Sequence, residues 1–225
     1  MKVSLVTLGC AKNEVDSEML LGFLKKIGFE LETDLQQADI IVVNTCGFIK
    51  SAKEEAINTI LDMAEYKKIG MCKHLIVAGC LAKRYKSQIQ KEFPEVDLVI
   101  GVDEYNNIDQ IFSRYFSKEI KDKLEFKDRI ISSVFPTAYL RIADGCNNNC
   151  HYCAIPLIRG KLKSRKIEDI FDEATTIKEC ERFANCIFRF SDDADLHAEA
   201  RFLIASVYMR IGHKEKANDA LSKMP

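Results

Sequence analysis

The sequence has no surplus of either charge. Its 225 residues carry 33 Lys and Arg against 34 Asp and Glu, a formal net charge of −1, with a pI near 6.5. That balance gives no electrostatic reason to expect a nucleic acid or an anionic membrane as partner. It also has no apolar run long enough to span a bilayer. The opening MKVSLVTLGC has one early lysine and a short apolar run. A secretory signal needs a longer apolar region and a small-residue cleavage site, and Leu8-Gly9-Cys10 fails as a lipoprotein site for the same reason. The chain is therefore expected in the cytoplasm. The one basic run, Arg159, Lys161, Lys163, Arg165 and Lys166, is local and reads as a solvated loop.

Hydrophobic residues make up 47% of the chain, enough for an ordinary packed core in one large domain or two small ones. Nine cysteines are many for this length. In a reducing compartment clustered thiols bind metal or do chemistry more often than they form disulfides.

The first hundred residues alternate between apolar runs and amphipathic stretches. Val3 to Leu8 has a buried-strand pattern. Val15, Met19, Phe23 and Ile27 follow at helical spacing over 13–27, with Gly28 placed as a C-terminal cap. Further strands are expected at 39–44 (DIIVVN), 74–78 (HLIVA) and 97–100 (DLVI). Helices follow them, carrying Ala56, Ile60 and Ala64, then Tyr85, Ile89 and Phe93, then Ile108, Phe112 and Tyr115. Strands apolar on both faces that alternate with helices imply an α/β fold with a parallel sheet covered on both sides. Residues 1–117 read as a doubly wound α/β domain, 118–136 as a linker, and 138–143 (AYLRIA) as a strand. The pattern is helical from about Lys166 to the end.

Three strands of the first domain end alike, at Cys10, Cys46 and Cys80, with Gly9, Gly47 and Gly79 beside them. In an open parallel sheet these ends share one edge, where ligands bind. Three such thiolates suit an iron–sulfur cluster or a zinc ion with one open position. The bland reading is three buried cysteines acting as small hydrophobes. Cys72 precedes its strand, lies at the opposite edge and stays out of the set.

The second set is CNNNCHYC, where Cys146, Cys150 and Cys153 follow a strand and Gly145. Zinc takes four ligands, and none is near except His151. Three thiolates in a tight loop suit three irons of a 4Fe-4S cluster, leaving the fourth iron free to chelate a small molecule. Radical S-adenosylmethionine enzymes use that arrangement, in which the cofactor carries the chemistry and the protein supplies ligands and position.

LGCAKNEVDSE (8–18), NTCGFIKSAKEEAI (44–57), GCLAKRY (79–85) and YLRIADGCNNNCHYCAIPLIRG (139–160) resemble the radical S-adenosylmethionine methylthiotransferases over residues 1 to about 170. The wording "AKNEVDSE" and "NTCGFI" is closer to the branch that modifies a ribosomal protein (RimO) than to the branch that modifies transfer RNA (MiaB). The resemblance implies two 4Fe-4S clusters and S-adenosylmethionine. Cys10, Cys46 and Cys80 would hold the first cluster, and Cys146, Cys150 and Cys153 the radical one. Tyr152 would pack near the adenine. The implied reaction adds a methylthio group to an aspartate of a small-subunit ribosomal protein, the implied partner.

The chain departs from that family after residue 170. The family's barrel has six strand–helix units, and residues 137–225 have room for about three at most. The sequence shows no second barrel strand, no Gly-rich cofactor loop and no C-terminal β-rich domain. Residues 171–190 read as a helix on which Cys180 is a core residue, and Cys186 takes no role. Residues 198–225 resemble one tetratricopeptide-like helical hairpin turning at Gly212, a possible contact surface for a protein partner. The expectation is therefore a methylthiotransferase N-terminal α/β domain, the truncated start of a radical S-adenosylmethionine barrel over 137–170 and a helical tail over 171–225, binding clusters without turnover. Three alternatives are a non-catalytic iron–sulfur or interaction module, a methylthiotransferase of the transfer-RNA (MiaB) branch, and a zinc protein.

Overall fold

Ile40, Ile41, Val42 and Val43 form a run with no polar side, and such a strand is stable only when both of its faces are covered. In the computed structural model, which describes residues 1–132, 138–148, 150–176, 218, 219, 221 and 222, this run is the central strand of a five-stranded parallel sheet. The strands are β1 (Lys2–Thr7), β2 (Glu30–Leu31), β3 (Ile40–Thr45), β4 (His74–Gly79) and β5 (Leu98–Gly101), in the order β2-β1-β3-β4-β5. The apolar residues expected at 3–8, 39–44, 74–78 and 97–100 form β1, β3, β4 and β5. The two-residue edge strand β2 was not expected from the sequence.

Alternate side chains of the sheet face opposite layers. Ile41, Val43, Leu75, Val77 and Val99 pack under α2 (Lys50–Ile69) and α3 (Cys80–Glu92), with Ala56, Ile60, Ala64 and Ile89 supplied by the helices. Ile40, Val42, Ile76, Ala78 and Ile100 pack under α1 (Ala11–Lys26) and α4 (Ile108–Phe116), against Leu20, Phe23, Leu24, Ile108 and Phe112. The chain leaves β1 toward one edge of the sheet and β3 toward the other. The crevice of such a fold therefore opens above the carboxyl ends of β1 and β3.

The segment expected as a linker is bound to α1 over its described part. Lys26 pairs with Asp128 at 2.7 Å, Ile130 N–H donates to the Glu18 carbonyl, and Arg129 faces the Glu18 carboxylate at 3.6 Å with both side chains almost fully buried. Gly22 permits this approach, because a Cβ there would press into the Asp128 carbonyl group. Gly22→Ala should therefore lift residues 126–132 off the helix and cost about 1–3 kcal/mol from overpacking. Hydrogen exchange should then quicken at 126–132 while β3 and β4 stay protected, and unchanged protection at 126–132 would contradict this packing.

The strand expected at 138–143 is not formed. Only Ala143–Asp144 (β6) takes strand geometry, paired antiparallel with Lys163–Ser164 (β7). Residues 138–142 are instead held through Arg141, whose guanidinium pairs with Asp16 and lies 4.7 Å from the Phe126 ring centroid. Arg165 lies over the same ring at 3.7 Å. A compact unit spans residues 1–165 and a second spans 166–225. In the second, α6 runs Ile167–Thr176. The rest of the helix expected to 190, with Cys180 and Cys186, and all of the 198–225 hairpin except 218, 219, 221 and 222 lie outside the described residues. No helix among the described residues is long and apolar enough to cross a membrane.

Candidate metal centre

Each strand of the first set turns at its carboxyl end, and the turns bring Cys10, Cys46 and Cys80 to one pocket. Its volume is about 720 Å³, and Gly9, Lys12, Phe48, Ile49, Ile158 and Arg159 also line it. Cys10 is exposed, whereas Cys46 and Cys80 are buried. Gly9 has φ +98°, and a Cβ there would lie 2.6 Å from the Cys46 Cβ, so only glycine lets these two turns close on each other. Arg84 fixes the second turn by donating to the Gly47 carbonyl at 3.1 Å. Cys72 is buried at the start of β4, at the other edge of the sheet, as expected from sequence.

Beneath the cysteines is a buried polar floor. Asn13 Nδ2 donates to the Leu8 and Thr45 carbonyls, both at 3.0 Å, tying the ends of β1 and β3 together. Asn44 Nδ2 donates to the Asn13 carbonyl and to Ser17 Oγ at 2.8 Å, and Thr45 Oγ1 donates to the Ala78 carbonyl at 2.6 Å. Asn13 Oδ1 accepts the Cys80 thiol at 3.4 Å. Burial pushes the Cys80 thiol up to about 11, and the nearby Arg159 charge only partly opposes it. Without a metal, Cys80 is therefore a neutral thiol at pH 7.

Arg159 is the residue that sequence reading misplaced. Read there as part of a solvated basic loop, its side chain is 6% exposed. Lys161, Lys163 and Lys166 are exposed as expected. Arg159 ends the short helix α5 (Ile155–Arg159). The two N–H groups of its Nη2 are shared among Asp16 at 2.6 Å, Asn13 Oδ1 at 2.9 Å and Cys80 Sγ at 3.4 Å, and its Nη1 donates to Asp144 at 3.0 Å. Burial works against its charge, but the Asp16 and Asp144 carboxylates outweigh that and hold it cationic. Burial would likewise raise the Asp144 carboxyl, but Arg159 and Arg141 overcome this and keep it below the usual carboxylate range. Lys12 completes the group, donating to Asp144 at 3.1 Å and to the Ala143 carbonyl at 3.0 Å. The available signal was in α1, where Asn13, Asp16 and Ser17 stand at i, i+3 and i+4 and share one face.

The second set lies on the loop between β6 and α5. Cys146 N–H donates to the Gly160 carbonyl at 3.1 Å, Cys153 N–H to the Cys150 carbonyl at 3.0 Å, and Asn147 Oδ1 accepts from Leu162 N–H at 2.9 Å. Cys150 is exposed, while Cys146 and Cys153 are partly covered. Tyr152 is 90% exposed.

Among the described residues no three Cys, His, Asp or Glu side chains stand close enough to hold one metal ion. The first set nevertheless fits a cluster in donor type and surroundings. A 4Fe-4S cube binds each thiolate at a different iron, so its sulfurs ring a cavity and are not gathered on one ion. Three thiols do ring this pocket, and Lys12 and Arg159 on its wall complement an anionic cluster.

The family described as "Uncharacterized protein family UPF0004" matches residues 2–101, which are β1 through β5 with the helices α1, α2 and α3 between them. Similar curated proteins include the ribosomal protein uS12 methylthiotransferase RimO of Acetivibrio thermocellus, 52% identical over 188 residues, 77% of this chain and 41% of that protein. RimO of Caldicellulosiruptor saccharolyticus is 49% identical over 189 residues, 80% of this chain and 43% of that protein. RimO of Clostridioides difficile is 47% identical over 189 residues, 80% and 42% of the two chains. This chain thus spans about two fifths of the length of these relatives. At 47–52% identity, the N-terminal three quarters of the chain is similar to a segment of these RimO methylthiotransferases.

Proposed function

We propose that this chain is the cluster-binding front part of a radical S-adenosylmethionine methylthiotransferase that acts on ribosomal protein uS12 in the cytoplasm. Cys10, Cys46 and Cys80 hold one 4Fe-4S cluster, and Cys146, Cys150 and Cys153 hold a second that binds S-adenosylmethionine beside Tyr152. The observation that carries this reading is the meeting of three cysteines from three separate strands at one pocket. When bound, the clusters supply one-electron chemistry and an iron site open to sulfur or to S-adenosylmethionine.

The protein residues have separable roles in this proposal. The strand-end turns set the spacing of the first three thiols, with Gly9 allowing the closest approach. Arg159 donates a hydrogen bond to the Cys80 sulfur, Asn13 Oδ1 accepts the Cys80 thiol in the metal-free protein, and Asp16 holds Arg159 in place. Phe48, Ile49 and Ile158 give the pocket an apolar wall. Substrate choice is assigned to uS12 on the strength of the named relatives.

Anaerobic reconstitution with iron and sulfide tests this. About eight irons per chain are expected for two 4Fe-4S clusters. Binding is expected without repeated cleavage of S-adenosylmethionine by the 225-residue chain, which spans 41% of the A. thermocellus protein. Fewer than about six irons would count against two clusters, zinc in place of iron in protein purified without oxygen would sink the cluster reading, and multiple turnovers would sink the claim of binding without turnover.

A further inference from the structure

Arg159 belongs to neither cysteine set, yet it touches both regions. It follows the Cys146–Cys153 loop by one short helix, and its guanidinium reaches across to the Cys80 sulfur. Four acceptors surround the fork: Asp16, Asn13 Oδ1, Cys80 Sγ and Asp144. Asp16 is 1% exposed and Arg159 6%, so water does not screen the contact. The planar fork of arginine suits this, since one ion pair orients the donors that remain. A surface arginine would not hold one N–H on a sulfur, because side-chain entropy would release it.

We propose that Arg159 is a positioning residue for the first cysteine set: its guanidinium, locked by Asp16 and hydrogen-bonded to Cys80 Sγ, raises the reduction potential of an iron–sulfur cluster held by Cys10, Cys46 and Cys80. This rests on the cluster reading above. Reduction adds one electron to the cluster, and the added charge spreads onto its inorganic and thiolate sulfurs. A hydrogen-bond donor and a fixed cation next to one of those sulfurs stabilise the reduced state more than the oxidised one, which moves the potential upward. Arg159 comes from the segment that carries the second cysteine set, so the arrangement ties the electronics of the first site to the seating of the second loop.

The test uses the full chain with Cys146, Cys150 and Cys153 all replaced by alanine, so that one cluster remains. Its midpoint is read by redox titration followed by electron paramagnetic resonance, with iron content measured on the same samples. Arg159→Gln in this background should keep about four irons and shift the midpoint to more negative potential. Arg159→Lys, which keeps the charge without the fork, should fall between the two. Equal midpoints at equal iron content would overturn the assignment. So would loss of iron from both variants with native circular dichroism, since Arg159 would then hold the cluster in place without tuning it. A parent that takes up no iron refutes the cluster reading itself, a result distinct from an unshifted potential.

Discussion

Asp16→Ala is expected to lower the stability of the metal-free protein by about 3–5 kcal/mol, the cost of breaking a buried ion pair from one side. The Asp16 side chain is 1% exposed and lies between Arg141 and Arg159, which are 11% and 6% exposed. Removing the carboxylate leaves two guanidinium groups out of water with little to balance them. Arg159 retains Asp144, itself 35% exposed, and Arg141 retains a longer contact to the same carboxylate at 3.7 Å. Asp144 is too solvated to replace a fully buried partner. Asp16→Asn keeps the volume and an acceptor oxygen, so it should cost less than alanine but still a clear amount. Urea titration followed by circular dichroism gives both values. A change below about 1 kcal/mol for the alanine variant would show that the arginines find other acceptors or reach water.

Cys46→Ala is expected to halve the iron bound after reconstitution, from about eight to about four per chain, because one missing thiolate opens the first cluster to loss. Cys46 is buried on the wall of the pocket, and alanine keeps its Cβ and removes only the sulfur that faces this space, so the metal-free fold should lose no more than about 1 kcal/mol. That separation makes the variant informative, because iron falls while stability holds. Cys150→Ala should remove the other half. Cys150 is exposed on its loop, so its loss has even less effect on folding. The double variant should bind almost no iron. If Cys46→Ala keeps the parental iron content, Cys46 is a core residue and the first cluster lies elsewhere or does not form.

The parts of this molecule written as apolar runs were legible in the sequence. β1, β3, β4 and β5 each announced themselves as apolar runs, and the shared ending of β1, β3 and β4 in cysteine gave the pocket, since parallel strands put their carboxyl ends on one edge. The edge strand β2 has two residues and was too short to leave a pattern. The segment 138–142 has the composition of a strand, but Arg141 anchors it to Asp16 through a side chain, a contact that no local periodicity encodes. The polar floor was hidden for a related reason. Asn13, Asp16, Ser17 and Glu18 look like the wet face of an amphipathic helix, yet all four are buried. Their partners include carbonyls of β1 and β3 and arginines far along the chain. Arg159 was misread in turn because its neighbours Lys161, Lys163 and Lys166 are the solvated lysines they appear to be.

The long sequence separation of the Asp16 contacts bears on how the chain is made. Asp16 is synthesised 125 residues before Arg141 and 143 before Arg159. The sheet and its two layers of helices are complete by Phe116, so a growing chain can collapse around them while both arginines are still unsynthesised. Until the arginines arrive, α1 cannot seat Asp16 without stranding a charge, and it must remain partly open to water. The smallest piece able to close this core therefore ends beyond Arg159, which agrees with the compact unit that runs to Arg165. A fragment cut at the apparent end of the first domain would contain every strand of its sheet and still be an unfinished fold.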